Sequence, residues 1–305
     1  MKVVLFFSLL VGFIPENVKK VELIFTNNIE GVFSRTKATW INPDFPPPVG
    51  GKGSFLTFLK EERKKAIEEN ISLFLFDAGN FTGGFITGEN LPLEETIKYF
   101  KEAKYDVINL GVREFILPYT QENGSLSLEA YIKSLETPCV SSNIRLEKEP
   151  DKAPPFVKPY LILKKNGIKI GVFGLVNENL PFFALEKNIK GLLVTREKET
   201  ARKMVKRLKD EGVDIIVLLS SLGYYRDIFL AEDVPGIDVI CGGFDGPGLR
   251  YAYVDSLNHT IIMRNYSGFS QAGKLILYLD PATKEILNFE FQAISLLEEE
   301  IPIEE

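Results

Sequence analysis

The chain has 305 residues, one histidine, two cysteines and a formal net charge of −6. That excludes a metal site built from several imidazoles and a four-cysteine zinc or iron–sulfur framework, and any Ser–His or Cys–His nucleophile would have to use His259. With 45% hydrophobic and 26% charged residues the chain can bury a core, and since five of the negative charges sit in the tail 297–305 the near-neutral body offers no basic surface for nucleic acid.

In chain order, Lys2 precedes the apolar run Val3 to Ile14, too short to span a bilayer but of the size of a signal-peptide h-region. A signal peptide over residues 1–18 is therefore expected, with export to a periplasmic or extracellular location and no transmembrane helix. No Ala-x-Ala cleavage site follows, the first alanine being Ala38. Val21 to Thr26 reads as a strand. Trp40 and the Pro-rich stretch Asn42 to Pro48 read either as a lid or docking loop or as a rigid surface connection. Gly51-Lys52-Gly53-Ser54 looks like a P-loop fragment but lacks its spacing and order, so a helix-opening turn is expected there.

Ser54 to Asn70 is the first amphipathic helix, Ile71 to Asp77 a strand, Leu93 to Ala103 a helix and Val107 to Leu110 a short strand. A helix over Ser127 to Leu135 leads to the strand Cys139 to Ser142. Tyr160 to Lys165 and Ile168 to Leu175, joined by Asn166-Gly167, form a hairpin. Glu197 to Glu211 is helical; Ile215 to Ser220 and Ile237 to Cys241 are buried strands. Tyr251 to Phe291 reads as antiparallel β with turns at Leu257-Asn258 and Asp280-Pro281. Cys139 and Cys241, inside apolar runs, behave as small buried hydrophobes, and His259 falls in a surface turn. Alternation of this kind means an α/β fold, and the tail 297–305 reads as a solvated, frayed terminus.

In α/β folds chemistry collects after the carboxyl ends of strands. Five such segments stand out: Thr26-Asn27-Asn28-Ile29-Glu30-Gly31, Asp77-Ala78-Gly79-Asn80-Phe81, Gly111-Val112-Arg113-Glu114-Phe115, Ser220-Ser221-Leu222-Gly223 and Gly242-Gly243-Phe244-Asp245-Gly246. Their order and separation resemble the calcineurin-like metallophosphoesterases, in particular the N-terminal catalytic domain of the 5'-nucleotidase branch, whose motifs read T-N-D-x-H-G, D-A-G-D, G-N-H-E-F, L-S-H-L-G and G-G-H-x-H. The resemblance extends from about residue 21 to 280 through shared fragments such as Ser142-Asn143-Ile144 and Asn166-Gly167-Ile168. It implies a four-layer α/β/β/α sandwich of two mixed β-sheets flanked by helices, one domain over residues 19–296 followed by an acidic tail 297–305.

The resemblance also implies a di-metal phosphoesterase site, and the ligand positions are where this chain differs. The first Asp-x-His is Asn28-x-Glu30, the bridging aspartate is Asn80, and the Asn-His pair is Val112-Arg113. The next histidine is Ser221, and the final His-x-His is Phe244-x-Gly246. Asparagine keeps the shape of aspartate without a charge that would be costly to bury uncompensated. Arg113 brings a fixed positive charge able to pair with Glu30, Asp77 or Asp245. The expectation is a protein without a cofactor that has lost di-metal activity and binds a protein or small-molecule partner. The alternative is a hydrolase of phosphate esters holding one Mg²⁺, Ca²⁺ or Mn²⁺ ion through the oxygens of Asp77, Asn28, Glu30, Asn80 and Asp245, with Asp77, Glu114 and Asp245 as the residual acidic site.

Overall fold

Unbroken apolar runs become strands buried on both faces, as in Ser72–Asp77, where all six residues are buried. The computed structural model describes residues 18–39, 41–83, 91–120 and 126–301. The predicted export segment up to residue 17, and Trp40, lie outside the described residues.

Two six-stranded sheets carry the fold. The first has the spatial order Ile286–Ser295, Gln271–Leu279, Lys19–Thr26, Ser72–Asp77, Val107–Asn109, Cys139–Val140. Its strands from Lys19–Thr26 outward are parallel and the two C-terminal strands antiparallel. The second runs Tyr253–Val254, Ile261–Arg264, Val239–Gly242, Ile215–Ser221, Ile168–Val176, Tyr160–Lys165, parallel in the middle and antiparallel at both edges. Between the sheets lies a core of Phe25, Phe76, Val172, Leu219, Cys241 and Leu275. Outside the first sheet Phe55, Tyr99, Phe100 and Tyr131 pack the helices Lys52–Glu68, Leu93–Ala103 and Leu128–Ser134. Outside the second, Ala201, Leu208 and Leu230 bring in Glu197–Asp210 and Tyr224–Asp233. The result is the α/β/β/α layering expected above.

The predicted hairpin has Lys165 opposite Ile168, with Asn166 and Gly167 both at positive φ, 47° and 77°, the mirror-image turn that suits the strand twist. One expectation needs correction. Tyr251 to Phe291 is not a continuous antiparallel unit: Ile261–Arg264 pairs in parallel with Val239–Gly242, while Gln271–Leu279 crosses to the other sheet. All four residues of Ile261–Arg264 are buried, so the strand needs a neighbour on each edge, which a short apolar run does not reveal. The start of the tail is docked as well: Leu297 bridges Val49 and Glu298 pairs with Arg35. The stretch around Asn42 to Pro48 closes a two-stranded ribbon, Thr36–Lys37 against Pro48–Val49. Gly51 caps the Lys52–Glu68 helix at φ 84°, and Lys52 pairs with Glu95 at 3.0 Å, as a helix-opening turn requires. His259 is exposed in the turn that its amide closes onto the Asp255 carbonyl. Both cysteines are free and buried.

Beneath the first helix, Glu22 is 1% exposed, its Oε2 lies 3.8 Å from Lys274 Nζ, and its Oε1 takes no hydrogen bond among the described residues. Lys274 spends its shorter contact, 2.5 Å, on Glu62. Burial pushes the Glu22 carboxyl up to about 7 from an ordinary 4.5, with Lys274 opposing. The folded state therefore binds more protons than the unfolded one in that window. The contribution is fully present below pH 4.5 and is lost as the pH rises through about 7. Unfolding curves against pH should show the native chain losing stability relative to Glu22→Gln across this window, at up to about 1.4 kcal/mol per pH unit. Parallel profiles for the two proteins would contradict the assignment.

Candidate functional site

The five segments singled out by sequence follow strands of both sheets, and hydrogen bonds join their loops at one end of the sandwich. The first two are zipped by their backbones: Asn28 N–H donates to the Gly79 carbonyl and Glu30 N–H to the Asn80 carbonyl, each at 3.0 Å. Four non-glycine positions, Asn28, Glu30, Asn80 and Phe244, have φ between 49° and 66°. That left-handed geometry is easy for asparagine and costly for Glu and Phe, so Glu30 and Phe244 carry backbone strain at the site. Gly79, at φ 98°, lets the second loop lie against the third: a Cβ there would stand 2.6 Å from Gly111 N.

The floor is a closed amide network. Asn80 Nδ2 donates to Asn28 Oδ1 at 3.2 Å and to Ser221 Oγ at 2.9 Å, while its Oδ1 accepts the Arg113 backbone N–H at 3.0 Å. Asn28 Oδ1 accepts a second bond from Phe244 N–H at 2.9 Å, and Asn28 Nδ2 donates to the Phe244 carbonyl and to Ser267 Oγ. All four side-chain atoms of the two amides are thus engaged inside the protein. Both residues are buried. Above them Arg113 Nη2 reaches Glu30 Oε1 at 3.2 Å. Burial raises the Glu30 carboxyl from its ordinary value while the adjacent guanidinium pulls it back down.

The predicted residual acidic site does not assemble. Asp77 is buried, accepting from Thr26 Oγ1 at 2.6 Å and Gly79 N–H at 2.8 Å. Glu114 is equally buried and takes the backbone N–H groups of Gly111, Asn80 and Thr82. Burial raises both carboxyls against these donors. They serve the loops from below, whereas Asp245 stands on the exposed rim. Two of the three carboxylates are engaged by the backbone donors of tight loops and the Thr26 hydroxyl rather than aimed into the cavity with Asp245. Gly246, also exposed, has φ 111° and lies against Tyr224, where a Cβ would meet the tyrosine Cβ at 2.5 Å. Among the described residues no group of three His, Cys, Asp or Glu could hold a metal ion.

Over the floor opens a cavity of about 500 Å³, lined by Asn28, Glu30, Asn80, Val112, Arg113 and Phe244 from the sequence motifs. Its other wall was not legible in sequence: Phe183, Leu185 and Asn188 come from two short helices, Leu180–Phe183 and Glu186–Ile189, and the residues between them. Asn188 Nδ2 fastens that wall to the carbonyls of Phe115 and Ile116 at 3.0 and 2.8 Å. The Phe183 and Phe244 rings meet edge to face at 5.2 Å. Two exposed phenylalanines in the run Pro181-Phe182-Phe183 were the available clue.

Sequence reasoning also missed Arg264, 1% exposed and among the largest buried side chains. Its guanidinium donates to the carbonyls of Gly243 (2.7 Å), Asp245 (2.8 Å) and Pro247 (3.2 Å), and lies 3.3 Å from Asp227 Oδ2. Asp227 also accepts from the Ser220 hydroxyl. Burial raises the Asp227 carboxyl to about 7 with Arg264 opposing, and lowers the guanidinium. A guanidinium held by three carbonyls stays charged, so Arg264 is an internal cation that pins the loop carrying Phe244 and Asp245.

No family model matches the chain. It is 29% identical over 188 residues to the 5'-nucleotidase of Diplobatis ommata, a match covering 60% of this chain and 30% of that protein. Thus it spans less than a third of that relative's length. The 5'-nucleotidase precursor of Thermus thermophilus shares the fold with a TM-score of 0.77 at 20% identity, over 93% of this chain and 56% of that one. The calcineurin-like phosphoesterase YfkN of Bacillus subtilis superposes with a TM-score of 0.69 at 19% identity, over 92% of each chain. With two mixed sheets, the loops of both gathered at one end and sequence similarity across more than half its length, the chain shares the fold of the calcineurin-like phosphoesterase YfkN and is similar in sequence to 5'-nucleotidases.

Proposed function

We propose that this chain is a 5'-nucleotidase-like protein that has given up di-metal phosphoester hydrolysis and uses the remaining cavity to bind a ligand. The observation that carries this reading is the closed network of Asn28, Asn80 and Ser221. A metal pair needs a bridging carboxylate and lone pairs aimed into the site. Here the bridging position is an amide whose Nδ2 donates to Asn28 and Ser221, and the Asn28 oxygen already accepts two hydrogen bonds. Arg113 and Phe244 add a guanidinium and a ring to the same lining. The donor set therefore does not fit a divalent cation, single or paired, and no reaction step is assigned to one. Among the described residues no helix is long and apolar enough to cross a membrane, and export remains the expectation drawn from Val3 to Ile14.

Hydrolysis of p-nitrophenyl phosphate and of AMP, each with added Mn²⁺, Zn²⁺ or Mg²⁺, tests the proposal. Rates at the level of buffer with metal are expected. Turnover that scales with protein concentration and is abolished by chelation would overturn it.

A further inference from the structure

Among the described residues three ionic side chains line the cavity: Glu30, Arg113 and Asp245. Glu30 and Arg113 face each other at 3.2 Å and largely cancel. The Asp245 carboxylate, exposed on the rim, makes no hydrogen bond or ion pair with the described residues; its backbone is held, its carbonyl accepting from Arg264 and from Tyr224 N–H. The buried Arg264 guanidinium, which adds positive field there, is matched by Asp227 at its other side. Two carboxylates against one guanidinium leave this lining with an excess negative charge, carried by Asp245 at the mouth where a ligand enters.

The rest of the lining is apolar and aromatic. Phe244 precedes Asp245 in the chain and meets Phe183 edge to face at 5.2 Å, and Val112, Ile116 and Leu185 continue the wall. Aromatic faces beside a carboxylate attract cations, and an apolar wall favours a ligand with a hydrocarbon body. The amides of the floor are committed to each other, so they select little beyond shape. An anionic ligand would find the Arg113 guanidinium already paired to Glu30, with the Asp245 carboxylate at the rim.

We propose that the cavity binds a small organic cation, an amine with an apolar or aromatic body, its charge against Asp245 and its body against Phe183 and Phe244. This deepens the reading of the chain as a binding protein and rests on it. The cavity of about 500 Å³ admits a ligand of ordinary metabolite size.

Calorimetric titration with 2-phenylethylammonium, 3-phenylpropionate and 3-phenylpropionamide separates charge from shape. The amine should bind saturably and more tightly than the other two. Asp245→Asn and Phe244→Ala should each weaken it by about tenfold or more, with urea midpoints recorded to show that both variants remain folded. Asp245 is exposed, so its variant is a substitution the fold tolerates. Equal or tighter binding of the carboxylate, absence of amine binding, or indifference to Asp245→Asn would overturn the inference. These failures are distinguishable from failure of the reading beneath it, which is decided by metal-dependent turnover and leaves amine affinity out of account.

Discussion

Arg264→Met is expected to lower the unfolding free energy by about 3–5 kcal/mol, the largest single effect foreseen for this chain. The side chain is 1% exposed and its ion-pair partner Asp227 is fully buried. Methionine can occupy much of the volume, but it leaves the Asp227 charge with only the Ser220 hydroxyl, removes the Arg264 donor from the carbonyls of Gly243 and Pro247, and leaves the Asp245 carbonyl with Tyr224 N–H alone. Since burial already lifts Asp227 to about 7, the variant should relieve its unpaired carboxylate by taking up a proton, so the deficit should shrink as the pH falls. Adding Asp227→Asn should recover a substantial part of the loss, because removing both charges costs less than stranding one. Urea unfolding of the single and double variants at two pH values checks this. A double variant no more stable than Arg264→Met would mean that the pair is not the element holding the loop.

Asn80→Asp restores the carboxylate that the related motif carries, and should destabilise the protein by about 2–3 kcal/mol. Asn80 is 1% exposed, and its Nδ2 is the donor to both Asn28 Oδ1 and Ser221 Oγ. An oxygen in its place faces the Asn28 oxygen without a proton between them. The new charge would also lie close to Glu114, whose Oε2 accepts the Asn80 backbone N–H at 2.9 Å. The new carboxyl should accordingly be raised by burial, and the loss should diminish at low pH. Millimolar Mn²⁺ should leave the midpoint of this variant unchanged, because Arg113 and Phe244 still occupy the lining. A Mn²⁺-dependent rise in the midpoint would show that the other ligands of a metal site are intact.

The strands and helices that build the sandwich were legible because their signals are local. Leu73 to Phe76 is an unbroken apolar run, Leu93 to Ala103 has helical spacing, and Asn166-Gly167 specifies its own turn. The positions facing the cavity from the first two loops were legible for another reason: the order of five short motifs located Asn28, Glu30 and Asn80 before any contact was known. What sequence left dark depends on contacts between distant segments. Ile261–Arg264 looks like a hairpin strand until its two neighbours are seen. Arg264 reads as an ordinary charge at a strand end, and only the fold brings three loop carbonyls around it. Asp77 and Glu114 looked like candidate ligands because carboxylates after strands often are; their actual partners are backbone N–H groups and a threonine. Phe183 and Asn188 reach the cavity from a segment that carries no motif.

The most direct test of a phosphoesterase frame without its metals is the metal content of the full chain, purified without chelators and again after dialysis against Mn²⁺, Zn²⁺ and Fe²⁺. The account predicts no stoichiometric metal in either sample. About two tightly held equivalents per chain, released together with any phosphoesterase activity on chelation, would contradict it.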